Sequence, residues 1–520
     1  MALPDGLDPR TPVLVGVGTT AGDREAVDLM AEAVVAAADD AGAPELLARV
    51  QRIVVPRGTW SYTDPARIVA ERIGAPSAET HLADIGISQQ ALINGVLAAI
   101  LAGEVDVAVV TGGEAKARAA RAARRSQAGD AAGIAQAVRH HGAHEGEAIE
   151  VDQQGARPDV HLVPGADIVA RPEIDAGLWA PVEQYALMES ALRHAEGRTV
   201  DADRADVAAL HARFNVVAQG NPEAAFPAPM SAEQIAELGP SNRPLAFPYG
   251  KWHASQWTVD QGAALLLCSA AAAEAAGVPR DRWVFPLVGV ESNLMVPLTQ
   301  RADLHRWPAM AVLGRAAAER IGQPLTACRH VDLYSCFPVA VRVQQRELGL
   351  PLDATPTLTG GMAFAGGPFN SYVLHSTAEA ARRLRAEPGL ALVTTVSGLL
   401  TKPGLAVWAS EPDGQPPQVA DLEDRARAAT ATTEVLGGHD GEATVVAVTV
   451  TYLGQEPHEV VAVVATDAGP RAIAKSTDPA LLDRARAEEL VGTRARGREP
   501  APPLTSLDGA TGCRFQPSGW

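Results

Sequence analysis

The sequence predicts an α/β protein in which largely parallel sheets carry helices on both faces. Short Val- and Ile-rich runs alternate with Ala-rich helical stretches over residues 11–110, and the alternation returns from residue 285 to Trp408. The second series opens with LVGVES at 287–292, an echo of LVGVGT at 14–19. Continuous apolar strands between helices are typical of sheets buried on both faces, so we expect a second half that repeats the pattern of the first.

The first half is predicted to span residues 11–283 and to contain a long insertion. Residues 115–245 lose the regular alternation, and their Arg-, His- and Pro-rich stretches predict a mainly helical segment. We expect strands at 11–18, 52–56, 81–85, 106–111 and 257–269, and helices at 24–41, 65–74 and 88–102.

The second half is predicted to span residues 284–410 and to be followed by a separate domain. Residues 411–418, EPDGQPPQ, have the composition of a linker. The segments 443–453 and 458–467 then alternate with period two, as antiparallel strands with one solvated face do. With a strand at 471–475 and a helix at 479–490, they predict a small domain over 419–505 that resembles an oligonucleotide/oligosaccharide-binding (OB) barrel. Within the second half we expect helices near 308–321, 339–348 and 371–386, and strands near 285–292, 330–334, 390–396 and 405–409.

Composition excludes several classes of function. With 44 Lys and Arg against 62 Asp and Glu, the formal net charge is −18, which disfavours nucleic-acid binding. The four cysteines form no Cys-x-x-Cys pair, so a disulfide scaffold or zinc ribbon is not expected, and a reducing cytoplasm is the expected location. The N-terminus lacks a signal-peptide pattern, and the apolar run 262–278 is interrupted by Ser269 and Glu274, so we expect no membrane insertion.

Three local motifs leave alternatives open. Gly16, Gly18 and Gly22 do not have dinucleotide-fingerprint spacing, so turn glycines are the better interpretation. His140 and His144 are spaced as two metal ligands on a helix, but their Gly-rich surroundings favour a solvated loop. A basic cluster is either a solvated helix face or an anchor for an anionic ligand such as the phosphates of coenzyme A (CoA). Its members are Lys116, Arg118, Arg121, Arg124 and Arg125.

Four segments together resemble the thiolase superfamily. DIGISQQALINGVLAAILAGEVDVAVVTGGEAKA (84–117) resembles the nucleophile segment, and VDLYSCFPVAVRVQQRELGL (331–350) resembles the Asn-Glu-Ala-Phe or His-Asp-Cys-Phe segment. LTGGMAFAGGPFNSY (358–372) is similar to the Gly-His-Pro segment, and VSGLLTKPG (396–404) to the final Cys-x-Gly segment. The insertion, with YALMESALRH (185–194), is similar to that of type 1 thiolase-like proteins, which are acetyl-CoA acetyltransferase-like and carry an extra C-terminal domain.

The resemblance implies a thiolase fold, a five-layered αβαβα body built from two duplicated halves with a loop domain inserted in the first. It also implies acyl transfer on CoA thioesters, in lipid metabolism, with CoA as ligand or substrate and no other cofactor.

The catalytic residues of the family do not carry over. The nucleophilic cysteine falls at Gly86, the Asn or His of the oxyanion site at Tyr334, the activating histidine at Gly367 and the second cysteine at Val396. Because glycine removes the side chain, we expect open space at two of these positions. Covalent acyl transfer by the family route is therefore not expected.

Two side chains near the former site are candidates for chemistry. Tyr334 matches a tyrosine of the steroid side-chain retro-aldolases, and it could accept a proton from a β-hydroxyl if its pKa were lowered; structural packing is the alternative. Those enzymes use a second tyrosine near the Gly367 position, whereas the nearest here, Tyr372, lies five residues further on. Cys336 is a weaker candidate, for which a small buried hydrophobe is the alternative. The pocket for CoA or substrate is predicted to include Ser88, Lys116, Arg118, Arg121, His253, Phe337, Gly361, Met362, Gly366 and Pro368.

The sequence therefore predicts a thiolase-like protein that binds CoA or an acyl-CoA without the thiolase catalytic set. One alternative is an aldol or retro-aldol lyase using Tyr334, and another is a non-catalytic scaffold. The C-terminal domain is expected to pack on the body, which favours a monomer over a dimer.

Overall fold

The computed structural model describes residues 6–127, 153 and 155–497. His140, His144, the side chain of Arg125, Cys513 and the last residues of the predicted C-terminal domain lie outside the described residues. Five short 3₁₀ turns lie between the main elements, at Pro44–Arg49, Lys251–His253, Arg280–Arg282, Leu298–Gln300 and Leu325–Ala327.

The first half begins with four strands and four helices in close agreement with the sequence prediction. Asp64 caps helix α2 by accepting a hydrogen bond from the Arg67 amide, and Gly103 ends α3 in the left-handed conformation that glycine favours. The elements are β1 (Pro12–Ala21), α1 (Ala26–Asp40), β2 (Arg52–Pro56), α2 (Pro65–Arg72), β3 (Glu79–Ala83), α3 (Gln89–Ala102), β4 (Val107–Ala115) and α4 (Lys116–Gln127).

The insertion is mainly helical in its described part, as predicted. Its helices are α5 (Arg171–Asp175), α6 (Pro181–Ala195), α7 (Val200–Gln219) and α8 (Ala232–Ala236), and its strands are β5 (Val160–Leu162), β6 (Pro244–Ala246) and β7 (Tyr249–Gly250). The chain then completes the first half with β8 (Asp260–Ser269) and α9 (Ala270–Ala275).

The second half and the C-terminal region follow in chain order. The second half contains β9 (Phe285–Glu291), α10 (Pro308–Ile321), β10 (His330–Asp332), α11 (Pro338–Glu347), α12 (Tyr372–Ala386), β11 (Leu390–Ser397) and β12 (Lys402–Ala409). The remaining elements are β13 (Gln418–Asp421), α13 (Glu423–Ala429), β14 (Gly441–Leu453), β15 (Glu456–Thr466), β16 (Arg471–Ser476), α14 (Pro479–Ala487) and β17 (Arg494–Gly497).

The two halves share one topology. The first sheet has the order β1-β8-β4-β2-β3-β5, and the second, read from its opening strand, has the order β9-β12-β11-β10 with β13 on the other side of β9. In the first sheet β1 pairs antiparallel with β8, β8 antiparallel with β4, and β4 parallel with β2. In the second sheet β9 pairs antiparallel with β12, β12 antiparallel with β11, and β11 parallel with β10, so the same three pairings recur in the same order. This repetition is what the echo between 14–19 and 287–292 predicted.

Both sheets are mixed, so the prediction of largely parallel sheets is only half right. Continuous apolar strands indicate burial on both faces, but they do not encode strand direction. Helices α3 and α12 lie between the two sheets and share a core with both. Helices α1 and α2 cover the outer face of the first sheet, and α10 and α11 cover that of the second, which completes five layers.

The C-terminal strands form a third sheet together with the insertion. Its order is β16-β15-β14-β6-β7, and β17 also pairs with β14. No closed barrel is formed by the described strands, and the OB-like barrel stays a prediction. Ser190 of α6 accepts a hydrogen bond from the Val448 amide at 2.9 Å, and Arg193 makes a two-pronged ion pair with Glu489.

The expectation of one solvated face on these strands is wrong. Val461 and Val463 of β15 pack into the core of the second half, while Val460 and Val464 pack against Leu482 of α14 in a separate core. The run 460–464 is apolar at every position, which is the pattern of a strand buried on both faces. The predicted packing of this region against the body is thus present.

Residues 418–429 join the second half, although the sequence placed them at the end of the linker and the start of the C-terminal domain. Strand β13 pairs in parallel with β9, and α13 packs on α10. The domain boundary itself stays a prediction. Across the described residues, no helix is long and apolar enough to cross a membrane.

Candidate functional site

The four positions that the sequence resemblance assigns to the thiolase catalytic residues lie at strand ends and helix starts of both halves. Gly86 lies between β3 and α3, Tyr334 follows β10, Gly367 precedes α12 and Val396 is near the end of β11. These strand ends form the usual ligand edge of parallel strands in α/β proteins.

Gly86 holds its backbone in a conformation that few side chains adopt. Its φ is +101°, and a Cβ built there would lie 3.2 Å from Pro164 and 3.8 Å from Ile168. Both residues belong to a loop of the insertion that covers this position. The backbone carbonyl of Gly86 accepts a hydrogen bond from the Nζ of Lys402 at 2.7 Å. A side chain at the nucleophile position is thus disfavoured by both backbone and surroundings.

Gly367 has no room for a side chain. A Cβ at this position would lie 2.0 Å from the Oγ of Ser255 and 3.1 Å from Met362. The segment 255–256 is held there because the Ser255 amide donates to the Cys336 carbonyl and the Gly367 amide donates to the Gln256 carbonyl. The expected open space at the two glycines is therefore wrong, since residues distant in sequence fill it.

Tyr334 and Tyr372 meet at the former site. Their rings are perpendicular with centroids 5.8 Å apart, so the five-residue offset in sequence does not keep Tyr372 away. The hydroxyl of Tyr372 shares a 2.7 Å hydrogen bond with Thr359 and donates to buried Asp332.

Neither tyrosine is tuned as a base. Burial raises the pKa of Tyr334, and the neighbouring Cys336 and Tyr372 raise it further. Burial also raises the pKa of Tyr372, as does the charge of Asp332. The lowered pKa that a proton acceptor at Tyr334 would need is not provided by this environment.

The other candidates at this edge are packed side chains. Burial raises the pKa of Cys336 to about 12, so its thiol stays protonated and is a poor nucleophile. Val396 is buried in the core of the second half, and Phe337 stacks on Tyr185 with ring centroids 4.5 Å apart. The amide of Met362 donates to Ser335 Oγ. Gly361, Gly366 and Pro368 are buried beside it in the same segment.

Two arginines of the basic cluster, Arg118 and Arg121, form ion pairs within the protein. Arg121 pairs with Asp260 at 2.6 Å and with Asp23 at 3.1 Å, and Arg118 lies 3.6 Å from Asp23. Lys116 lies over the ring of Trp257, where burial lowers its pKa to about 8. The role of this cluster as a phosphate anchor stays a prediction, and at Arg118 and Arg121 a phosphate would compete with Asp23 and Asp260.

His253 is a core residue in this structure. Its Nδ1 accepts a hydrogen bond from the Gly250 amide at 3.1 Å, and its ring lies beside His211 and Tyr249. Burial, and then the neighbouring His211, lower the pKa of His253 well below its usual range, so the ring is neutral.

Ser88 begins helix α3 without capping it. Serine is a favoured cap, yet this hydroxyl makes no cap hydrogen bond and, among the described residues, has no hydrogen-bond partner although it is buried.

A small cavity of about 20 Å³ lies between Tyr372, Gly366 and Gln261, with room for about one water molecule.

Sequence reasoning missed Lys402 and Glu291. Both are buried, and Lys402 contacts the residue at the nucleophile position. The available signal was the rarity of lysine, because only four of the 44 basic residues are lysines and one of them falls inside the final thiolase-like segment. Among the described residues, no group of three or more His, Cys, Asp or Glu side chains is placed to hold a metal ion.

Comparison with known proteins finds similar solved structures. No family model and no curated protein matches the chain. Among solved structures, a monomeric SCP2-thiolase-like protein type 1 from Mycobacterium smegmatis is 28% identical over 95% of this chain and 98% of its own, with a TM-score of 0.77. An Ltp2-ChsH2(DUF35) aldolase is 20% identical over 78% of this chain and 99% of its own, with a TM-score of 0.55.

A third solved structure, an acetyl-CoA acetyltransferase from Syntrophomonas wolfei, is 16% identical over 77% of this chain and 99% of its own, with a TM-score of 0.53. The repeated halves, the five layers and the similarity to these solved structures all indicate the same fold. The chain has the fold of the thiolase superfamily.

Proposed function

We propose that this protein binds CoA or an acyl-CoA thioester and does not carry out thiolase acyl transfer. The observation that carries the proposal is the filling of the Gly367 position. A histidine there would place its Cβ 2.0 Å from Ser255 Oγ and 3.1 Å from Met362, so these side chains would have to move to admit the group that activates a thiolase nucleophile.

The chemistry supports the same conclusion. Thiolase acyl transfer needs a thiolate held at a helix N-terminus and a second acid–base thiol. Here those positions hold Gly86 and Val396. The nearest remaining thiol, Cys336, has its pKa raised to about 12, which leaves a negligible thiolate fraction at neutral pH.

The fold supports binding of a CoA thioester, whereas the scarcity of unpaired positive charge limits its affinity. One similar structure is an acetyl-CoA acetyltransferase, and the described part of the insertion is helical, as the resemblance to the family's loop domain implies. The paired state of Arg118 and Arg121 leaves little free positive charge for phosphates. We therefore expect micromolar or weaker affinity that falls with added salt.

The test combines binding and mass measurements. We expect calorimetry with acetyl-CoA to show weak heat at low salt, and intact-mass spectrometry after the same incubation to show no acetyl adduct. A catalytically active thiolase is the positive control for adduct formation and thiolysis. An acetyl group mapped to Cys336, or measurable thiolysis, would overturn the non-catalytic part. No heat and no thermal shift with any CoA ester would overturn the binding part and favour a scaffold.

A second candidate function is aldol or retro-aldol cleavage of a CoA thioester. The contact between Tyr334 and Tyr372 favours it, because a pair of tyrosines is present after all. The raised pKa of both phenols opposes it. Release of an aldehyde or ketone from a β-hydroxyacyl-CoA, lost in Tyr334→Phe and retained in Tyr185→Phe, would establish this activity. No release by the unaltered protein would exclude it.

We further propose that the protein is a monomer. The third sheet packs on the body through Val461 and Val463, and the similar protein from Mycobacterium smegmatis is described as monomeric. Light scattering should return the mass of one chain, and the mass of two chains would contradict the proposal.

A further inference from the structure

A cavity in the second half is lined by a buried arginine. Arg301 follows the turn Leu298–Gln300 and is only 6% exposed. The cavity has a volume of about 60 Å³, which is several times the space that one water molecule needs. The start of α10, the segment 400–401 between β11 and β12, and the end of α13 complete its wall. It therefore has room for a ligand of a few heavy atoms.

Arg301 has no carboxylate in contact with it. Its Nε donates to the Val296 carbonyl at 3.0 Å, its Nη2 donates to the Leu399 carbonyl at 2.7 Å, and its Nη1 lies 3.7 Å from the sulfur of Met188. A guanidinium has five N–H groups, so one N–H on each terminal nitrogen is left without a partner among the described residues. In the same part of the chain, no carboxylate oxygen lies within 4.0 Å of this side chain.

Two buried acidic residues near the cavity are engaged with other groups. Glu173 attracts Arg301 from beyond contact distance, but its carboxylate accepts hydrogen bonds from the amide and hydroxyl of Thr299. Glu347 pairs at 2.6 Å with the exposed Arg306, which also lines the cavity. Burial lowers the pKa of Arg301 only to about 10, so its guanidinium is charged at neutral pH. A buried charge without a contacting counter-ion is costly, so Arg301 favours an anion in the cavity.

A second buried guanidinium lies beside Arg301. Arg471 is 8% exposed, and its guanidinium donates to the carbonyls of Arg301 and Ala302. It too lies more than 4.0 Å from every carboxylate oxygen of the described residues. Asp303, an exposed residue of the cavity wall, attracts Arg471 from farther away. The positive charges beside the cavity are thus buried, whereas the charge of Asp303 is weakened by its contact with water.

We propose that this cavity binds a short-chain carboxylate, such as acetate, whose two oxygens accept hydrogen bonds from the unpartnered N–H groups of Arg301. A guanidinium binds a carboxylate through two parallel hydrogen bonds, and the unpartnered groups lie on its two terminal nitrogens. The apolar side chains of Val296, Trp307 and Leu400 also line the cavity and would contact the alkyl group. A cavity of this volume does not admit CoA, so the proposal is independent of the proposed function.

The cavity adjoins the segment that leads to the candidate site. Leu399 and Leu400 have left-handed backbones, with φ of +59° and +62°, which is strained for residues with a side chain. Arg301 donates to the Leu399 carbonyl, and Lys402, two residues after Leu400, donates to the Gly86 carbonyl. A carboxylate bound to Arg301 would therefore stabilise a strained part of the folded protein, and binding should raise the unfolding temperature.

The test uses sodium acetate as the probe. Sodium chloride at equal ionic strength and acetamide, an uncharged molecule of similar shape, are the controls. We expect saturable heat from acetate in calorimetry with a Kd on the order of 1 mM, because so small a ligand makes few contacts. The unfolding temperature should be higher in acetate than in chloride, and acetamide should give neither effect. An equal response to chloride would show a general salt effect, and an equal response to acetamide would show that charge is not recognised. Either result would overturn the proposal.

Variants locate the binding. Arg301→Met should weaken acetate binding at least about tenfold, and circular dichroism reports whether this variant is folded. Asp303→Asn removes a negative charge from the cavity wall and should tighten binding about twofold. Asp39→Asn, the same change in charge at an exposed position of α1 in the first half, should leave the affinity unchanged. Unchanged affinity in a folded Arg301→Met protein would overturn the proposal. Equal affinity in Asp303→Asn and Asp39→Asn would also overturn it, and this comparison decides the matter if Arg301→Met does not fold.

Discussion

The two halves of the body share a topology but differ in how their outer cores are completed. The outer core of the first half is built from residues of that half, within 13–115 and 264–283, together with Phe285 at the start of β9. The outer core of the second half also contains residues of helices α6 and α7 and of strands β14 and β15, such as Tyr185, Phe214, Ala447 and Val461.

The difference between the two outer cores shows which half of the body the insertion and the C-terminal strands pack against. The insertion and the C-terminal strands both contribute buried residues to the core of the second half. The same contrast recurs at the two glycines. A Cβ built at Gly86 in the first half would make a tight 3.2 Å contact with Pro164 of a loop, whereas one built at Gly367 in the second half would overlap Ser255 of a hydrogen-bonded segment.

Truncation is the strongest way to test this asymmetry. A chain ending at Ser410 loses β13 from the edge of β9 and uncovers the apolar residues that pack on β14 and β15. We expect a loss comparable to the whole stability of a domain, about 5 kcal/mol or more, seen as insoluble or molten protein.

A chain ending at Thr430 is the matched control, because it keeps β13 and α13. It should be more soluble than the shorter chain, although still destabilised. A Ser410 truncation that stays soluble, monomeric and equally stable would show that the C-terminal region is an independent appendage.

Alanine substitutions at Gly367 and Gly86 should distinguish a loss of stability caused by steric overlap from one caused by backbone strain. Gly367→Ala should destabilise by about 2–3 kcal/mol because Ser255 Oγ occupies the space of the new Cβ. Gly86→Ala should cost about 1–2 kcal/mol because its φ of +101° is strained for a side chain.

Rescue by a second change distinguishes the two causes. Adding Ser255→Gly should restore much of the stability of Gly367→Ala in denaturant unfolding, and Pro164→Ala should restore little in Gly86→Ala. Equal rescue at both sites, or none at Gly367, would contradict the contrast drawn between them.

Two carboxyls extend the comparison to pH. Glu291 in the second half has its pKa raised to about 7 by burial and by Asp421, so its favourable contribution is complete below its unfolded pKa and is lost as pH rises through about 7. The unfolding free energy of Glu291→Gln minus that of the unaltered protein should therefore rise by about 1.4 kcal/mol for each pH unit of increase across roughly pH 4.5–7.

Asp84 in the first half should respond in the opposite direction. Partial burial opposes its ionisation, but hydrogen bonds from His161 and Arg57 outweigh this and lower its pKa. Its contribution is present above its unfolded pKa and is lost as pH falls through the lower folded value, so Asp84→Asn should cost stability at neutral pH and little in acid. Denaturant midpoints of Glu291→Gln and Asp84→Asn, measured over pH 3–8, check both predictions. If the two variants changed in the same way with pH, the opposite pKa shifts assigned to Glu291 and Asp84 would be wrong.

The smallest effect is expected at the basic cluster of the first half. Arg118 and Arg121 are partly exposed and pair with internal carboxylates, so alanine at either should cost less than about 1 kcal/mol. We also expect acetyl-CoA affinity to change by less than about twofold, which is below 0.5 kcal/mol. A tenfold loss of affinity in Arg121→Ala would restore the cluster as a phosphate anchor.

Most elements of the fold could be predicted from local patterns. Strand β2 and helix α10 have the predicted bounds, and the two βα series correspond to the two halves with one topology. These features depend on periodicity and on caps such as Asp64 and Gly103, which act within a few residues. The run 460–464 also carried its own signal of burial on both faces, which the alternation of its neighbours obscured.

The candidate site was decided by contacts between distant parts of the chain. Glycine at 86 and 367 was visible in the sequence, but whether those positions are open depends on Pro164 of the insertion and on Ser255, which lies between β7 and β8. The meeting of Tyr334 with Tyr372, and of Lys402 with Gly86, likewise depends on how the halves pack. Local sequence determines which backbone conformations and faces are favourable, whereas the filling of space and the pKa of a buried group depend on all neighbours at once.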